Sequence, residues 1–326
     1  MNIVDLHAHP LLDRLYAAYD LRGRHPVALD PFGNRLGFDA LQQGQVGAIV
    51  SAIYPFWCPQ RRSAYMDRCR DILTLIETCL TEHADSATVV TDSAGIECAL
   101  ARGKVAVIHA VEGGHVLEGR LENLEKLCQW RVRSLTLTHF LNNDLAASSF
   151  DPRRKLAGRN GLTPFGREVV AGMNTLGMVI DLAHSSERAF WQVMELTKYP
   201  VVVSHTGVRR FVPWEICLSD EQLKALAQND GLVGIILSSI WLKRLGLADI
   251  GDLVDNILYV CDLVGVDHVG LGSDFNGTPP LRGVRTASDF PRIAECLAGR
   301  GLSDYEVAKI MGGNFLRVFK QVVNGQ

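Results

Sequence analysis

Residues 105–114 read VAVIHAVEGG, an unbroken apolar run that ends in a carboxylate, Glu112, followed by two glycines. Continuous rather than alternating apolar character marks a parallel strand buried on both faces. A carboxylate at the end of such a strand must be paired or coordinated, because an isolated buried charge is too costly. Four other stretches share the design: NIVDLHAHP (2–10) carries His7 and His9, GMVIDLAHSS (177–186) His184, PVVVSHTG (200–207) His205 and HVGLGSDFNG (268–277) Asp274. Short buried strands that each finish in His, Glu or Asp are most economically read as a barrel whose strand ends converge on bound metal.

Strand-like runs at 2–7, 46–53, 105–111, 133–138, 177–183, 200–204, 231–238 and 268–273 make eight, and helical patterns at 66–83, 120–130, 163–176, 187–198, 219–229 and 251–264 lie between them. That alternation predicts an α/β fold, a TIM (β/α)8 barrel with extended βα loops, as one domain over 1–326. Ser219 with Gln222 three residues on forms a capping box at one helix start. The stretch 302–323 reads as a short helix, a Gly312-Gly313 break and a closing helix. The long loops 10–44, 54–65, 139–162, 206–218 and 240–250 are expected to build the catalytic face.

With 21% charged residues and a net charge of −3, the chain has no nucleic-acid footprint, and a small neutral or polar molecule is the expected substrate. The longest apolar stretches, 46–57 and 231–241, fall short of the roughly 18 residues a bilayer span needs, so no membrane span is expected. Without a signal-like N-terminus, a cytoplasmic location is expected. The eight cysteines lack C-x-x-C spacing and read as free thiols.

His7 and His9 lie two apart on a strand end, so alternation lets both reach one ion. The two oxygens of Glu112 can bridge two cations, with His184 and His205 supplying nitrogen to the second. Ions sharing a carboxylate stand about 3.5–4 Å apart and hold a water whose pKa falls toward neutrality, which makes a hydroxide nucleophile available. Asp274 can take the proton of that nucleophile and pass it to a leaving amine. His139, ending LTLTH (135–139), can donate to the developing oxyanion. His109 and His115 are expected to brace the site rather than bind metal, and His25, His83 and His268 to be solvated or structural. No G-x-G-x-x-G opens a helix, so redox cofactor chemistry has no support.

VEGGHVL (111–117), LTLTH (135–139), GLTPFGREVV (161–170), IDLAHSS (180–186), VVVSHTG (201–207), LSDEQLKALA (218–227), HVGLGSDFNG (268–277) and GGNFLRVF (312–319) together resemble, in order and spacing, the membrane dipeptidase (renal dipeptidase) family of the amidohydrolase superfamily. The resemblance spans nearly the whole chain. It implies a barrel with two zinc ions bridged by Glu112, the second held by His184 and His205, with Asp274 as acid/base and His139 on the substrate carbonyl. It also implies a homodimer that cleaves dipeptides.

Two departures bear on specificity. The family usually opens with H-x-D, whereas this chain has His7-Ala8-His9, which removes one negative charge from the cluster. Where the family carries an Arg-Asn pair before the leucine of LSDEQL, this chain has Ile216 and Cys217, neither of which can pair with a dipeptide carboxylate. Arg209 and Arg210, in the same loop, are the candidates to replace that cation. The expected function is therefore a dinuclear zinc hydrolase cleaving a dipeptide or dipeptide-like amide. Its alternatives are hydrolysis of another small amide, ester or lactone lacking a C-terminal carboxylate, and a non-catalytic metal-binding barrel.

Overall fold

The computed structural model describes residues 2–10, 35–55, 65–152 and 160–325, so His25 and Cys58 lie outside the described residues. The strands are β1 Ile3–Ala8, β2 Val46–Ile53, β3 Ala87–Val89, β4 Val105–Glu112, β5 Val132–Thr136, β6 Val179–Asp181, β7 Val202–Thr206, β8 Leu232–Ile236 and β9 Val269–Gly272. All pair in parallel in the order β2-β1-β9-β8-β7-β6-β5-β4, and pairing of β2 with β4 closes the ring. The expected eight barrel strands are present. The ninth, β3, shares an edge of β4: it pairs with Val105–Val107, and β5 takes over from His109 onward. Three residues are too short to show a pattern, so the sequence gives no sign of β3.

The helices are α1 Phe38–Gln43, α2 Tyr65–Glu82, α3 Ser93–Ala101, α4 Glu122–Gln129, α5 Pro164–Leu176, α6 Glu187–Leu196, α7 Asp220–Gln228, α8 Ile250–Val264, α9 Phe290–Gly299, α10 Asp304–Ala308 and α11 Asn314–Val323. The six expected helices all form. Ser219 and Gln222 close the predicted capping box at α7. Helices α1, α3 and α9 were not expected: α9 buries Phe290, Ile293 and Leu297 at helical spacing, a stripe the sequence reading passed over, whereas α3 buries only Ile96 and Ala99, too narrow a stripe to read by periodicity. The chain turns out of helical geometry at Gly312, between α10 and α11, as the Gly-Gly pair predicts. No described helix is long and apolar enough to cross a membrane. No disulfide joins any two of the described cysteines.

Two apolar layers place the site. On β4, Val105, Val107 and Val111 pack with α2 residues Leu73 and Ile76 in the cluster beneath the helices. Ala106, Ile108 and Ala110 join Leu6, Val50, Val179, Val202 and Leu232 of other strands and Phe315, Phe319 and Val322 of α11. The closing helix thus covers the N-terminal strand ends and leaves the C-terminal ends to the histidines. This alternation also corrects one expectation. Two-residue periodicity puts Glu112 on the inner face with Ala110, and His109 on the outer face with Val107 and Val111, so His109 faces away from Glu112 and does not brace the site.

Candidate metal centre

Glu112 is the hub of the site. His184 Nε2 lies 3.0 Å from its Oε1, and His7, His139 and His205 Nε2 lie 3.6, 3.7 and 3.7 Å from the same oxygen. His9 Nε2 lies 3.6 Å from the other oxygen and 3.2 Å from Asp274 Oδ1. These seven residues, all singled out from sequence, come from the ends of β1, β4, β5, β6, β7 and β9. His7, His9 and Asp274 form one set of mutually close ligand atoms, His7, Glu112 and His205 a second, and Glu112, His139 and His184 a third. The side chains of His7, His9, Glu112, His184 and His205 are at most 6% exposed, whereas His139 and Asp274 keep 11% and 15%. The five expected ligands are the buried ones, and the two residues expected to meet substrate are the open ones.

Local backbone geometry turns these side chains inward. His184 and Asp274 adopt left-handed conformations, φ 63° and 52°, which cost non-glycine residues free energy and persist where surrounding structure over-determines them. Asp274 is held from below: its amide donates to the His7 carbonyl at 2.8 Å. Gly234 and Gly272 let β7 press close, since a Cβ on either would run into the Ser204 carbonyl.

The tautomers follow from the hydrogen bonds. Ser204 Oγ donates to Asp181 Oδ2 at 2.6 Å, so the same oxygen accepts from His205 Nδ1 at 2.9 Å and His7 Nδ1 at 3.3 Å. His9 Nδ1 donates to the Ala52 carbonyl at 3.2 Å. In all three rings Nδ1 carries a proton, and in His7 and His205 that leaves Nε2 as a lone pair aimed at Glu112. His7 Nε2 is buried without a hydrogen-bond partner. His205 Nε2 and His184 Nε2 stand only 2.8 Å apart, which two bare lone pairs would not tolerate without a proton or a cation between them. No lysine or arginine among the described residues pairs with Glu112 or Asp274. Imidazole nitrogens and carboxylate oxygens with bare lone pairs around unneutralised carboxylates are the donor set of a divalent metal such as zinc.

Electrostatics agree. Burial pushes the His7 and His139 pKa values down to about 3, and burial followed by the charges of neighbouring imidazoles holds His205 well below its ordinary value. Burial works to raise Glu112, but the surrounding imidazoles, His139 and His7 foremost, hold it well below the usual carboxylate range. His7, His139 and His205, held neutral by burial, can bind metal without first losing protons. His9 is the exception: burial opposes its charge, yet the Asp274 hydrogen bond and the charge of Glu112 raise its pKa. Burial raises that of Asp274.

Sequence reading missed the supports. Asp181 accepts from Thr136 Oγ1, Ser204 Oγ, Ser204 N and Ala183 N at 2.6, 2.6, 2.9 and 3.0 Å. Asp5 accepts from Ser273 Oγ, Ser273 N and His7 N at 2.5, 2.8 and 3.2 Å. The available signal was an aspartate inside an apolar strand, shortly before a histidine. His115 Nε2 meets the Pro55 carbonyl at 3.0 Å. His83 and His268 bond to backbone carbonyls of Cys79 and Gly231, as structural residues do.

The expected substrate cations behave differently. Arg209 spends Nε on the Cys217 carbonyl, Nη1 on Glu187 and Nη2 on Gln222 and the Glu215 carbonyl, so it braces its own loop against α6 and α7. Arg210 is exposed. Ile216 is buried with Val212 and Cys217 under Phe211 and Trp241.

The model of the membrane dipeptidase family, peptidase family M19, matches residues 1–325. The chain belongs to the membrane dipeptidase family. A Claviceps purpurea relative, dipeptidase tcpJ, is 31% identical over 321 residues, 95% of this chain and 74% of its own length. Human dipeptidase 3 is 31% identical over 87% of this chain, which spans 58% of that protein. Among solved structures, a Rhodobacter sphaeroides metallopeptidase liganded with a phosphinate mimic of L-Ala-D-Ala superposes with a TM-score of 0.87 at 20% identity over 99% of both chains. A Pseudomonas aeruginosa amidohydrolase gives 0.82 at 24% identity, covering 100% of this chain and 97% of its own. Family membership makes this barrel a membrane dipeptidase scaffold, with the His/Glu cluster at the C-terminal strand ends, where a TIM barrel carries its site.

Proposed function

We propose that the protein is a dinuclear zinc hydrolase that cleaves the amide bond of a dipeptide or dipeptide-like substrate. The observation that carries this reading is the convergence of five imidazole Nε2 atoms within 3.7 Å of Glu112 at the barrel mouth. His7 and His9 would hold one ion and His184 and His205 the other, with Glu112 shared between them. The ions supply Lewis acidity toward the amide carbonyl and an acidified water as nucleophile. Asp274 accepts the proton of the attacking water on a carboxylate oxygen and delivers it to the leaving nitrogen. His139, neutral in its buried position, donates a ring N–H to the carbonyl oxygen as charge builds there. Asp181 and Ser204 hold the His7 and His205 rings in the coordinating tautomer.

Ile216 favours a second reading within the same chemistry. A buried Ile216–Cys217 pair, with Arg209 already committed, suits a small amide, ester or lactone without a C-terminal carboxylate. The proposal extends to a homodimer acting in the cytoplasm, which the lack of a disulfide between described cysteines suits and which light scattering and cell fractionation test.

The deciding experiment is metal analysis of zinc-reconstituted protein combined with turnover of a dipeptide library and its C-terminally amidated counterpart. Two zinc equivalents and hydrolysis are expected. At most one equivalent after reconstitution, or no turnover of any amide or ester by the fully loaded protein, overturns the reading.

A further inference from the structure

Four large aromatic side chains surround the mouth of the site in a connected arc. Phe140 and Trp214 are each 49% exposed and Phe150 is 37% exposed; Trp241 is half-buried. Phe140 and Phe150 follow β5, Trp214 follows β7 and Trp241 follows β8. The arc starts on the candidate site itself. The Phe140 centroid lies 4.0 Å from that of His139 and 5.7 Å from that of His184, and Phe150 lies 5.8 Å from His184. From there, Phe140 meets Phe150 at 5.0 Å, Phe150 meets Trp241 at 5.6 Å and Trp241 meets Trp214 at 6.1 Å, all edge to face. Edge-to-face contacts fix ring orientation, so these are set surfaces and not loose side chains.

The arc is also built from behind. Trp241 packs on Val212, Ile216 and Cys217, the loop where the family places its carboxylate-binding pair. A Cβ on Gly207 would collide with the Trp241 carbonyl, so the β7 and β8 loops are in close contact there. The position that would otherwise present a cation instead props an indole toward the site. A contiguous exposed apolar surface beside a polar cluster is a recognition feature.

We infer that this arc is a substrate subsite for an aromatic or large branched apolar group carried next to the scissile bond. The inference rests on the hydrolase reading above and names the substrate class within it. The occupant is identified by continuity: the first rings of the arc touch His139 and His184, so a group lying on Phe140 and Phe150 is joined to whatever bond those histidines face. Exposed rings regain by stacking what they lose in water, and only an apolar or π-faced partner offers that gain.

The test uses zinc-reconstituted full-length protein with Ala-Ala, Phe-Ala and Ala-Phe, each as free acid and as amide. Wild type is expected to prefer one aromatic series over its alanine match by about tenfold or more in kcat/KM, carried mainly by KM, the scale at which an apolar pocket discriminates. Phe150→Ala and Phe140→Ala, at exposed positions where the fold is least affected, should each bring that ratio close to one. Trp241→Leu keeps the packing on Ile216 and should reduce the ratio partway. Independently, tryptophan emission titrated with phenylacetamide should change saturably in wild type, should not change with acetamide, and should lose the response in Phe150→Ala. Hydrolysis without aromatic preference overturns the subsite and leaves the hydrolase reading standing. Saturable phenylacetamide binding that Phe150→Ala removes, without hydrolysis of any amide, does the reverse. Variants that shift a dimer to monomer with an unchanged substrate ratio assign the arc to a subunit interface and overturn the inference.

Discussion

Asp274 Oδ1 lies 3.2 Å from His9 Nε2, so the residue expected to move protons stands directly against one of the expected ligands. Asp274→Asn keeps the size and most contacts of the side chain and removes its basicity. The expected result is a fall in kcat of roughly 10²–10⁴-fold with little change in KM, as for loss of a general base. Metal content should stay near that of wild type, because His7, His9 and Glu112 remain. Equal losses of metal and activity would show Asp274 to be a ligand.

Glu112→Gln should disturb every site at once, since all five rings crowd its two oxygens. Zinc equivalents should drop for both ions together, and the melting temperature should no longer respond to added zinc. In wild type, zinc at about 1,000 times its dissociation constant adds on the order of 4 kcal/mol of stability, which chelation removes. A Glu112→Gln variant that keeps one tightly bound ion would show that the carboxylate is not shared.

Ser204→Ala tests the support beneath the ligands. It takes the acceptor from His7 and His205 Nδ1 and a donor from Asp181. Loss of such an orienting partner should weaken zinc binding by about 10–100-fold without abolishing it. Competition with a fluorescent chelator reads this directly, and Ser204→Thr, which keeps the hydroxyl, should recover most of it.

His109 gives a pH prediction outside the site. It is fully buried, neither ring nitrogen has a partner, and burial lowers its pKa to about 4. Between its unfolded value near 6.5 and about 4, the unfolded chain binds the proton that the folded chain refuses, so folding stability falls as pH falls through that window. His109→Leu removes the cost. It should stabilise the protein by roughly 1–3 kcal/mol at pH 8 by deleting unsatisfied polar atoms, and by about 2 kcal/mol more at pH 5. Denaturant melts at the two pH values check this, and an equal gain at both would show that His109 does not titrate on unfolding.

The barrel was legible because buried parallel strands are written as unbroken apolar runs, and because a polar residue ending such a run has few reasons to be there. His7, His9, Glu112, His184, His205 and Asp274 each close a run of this kind. The capping box at Ser219 and the break at Gly312 were equally local and equally readable. β3 and α3 were not, since three strand residues and a helix burying only Ile96 and Ala99 have no period to detect.

What sequence alone determined, then, was the class of fold and the chemistry of the ligand set, both properties of short windows. The tertiary structure decided what depends on which strands become neighbours. It turned His109 away from Glu112 by strand alternation, set Asp181 and Ser204 beneath His7 and His205 across two strand ends, and tied Arg209 to Glu187 and Gln222. It also brought Phe140, Phe150, Trp214 and Trp241 from three loops into one arc. A buried side chain's role follows from its partners, and in a barrel those partners are set by closure of the sheet.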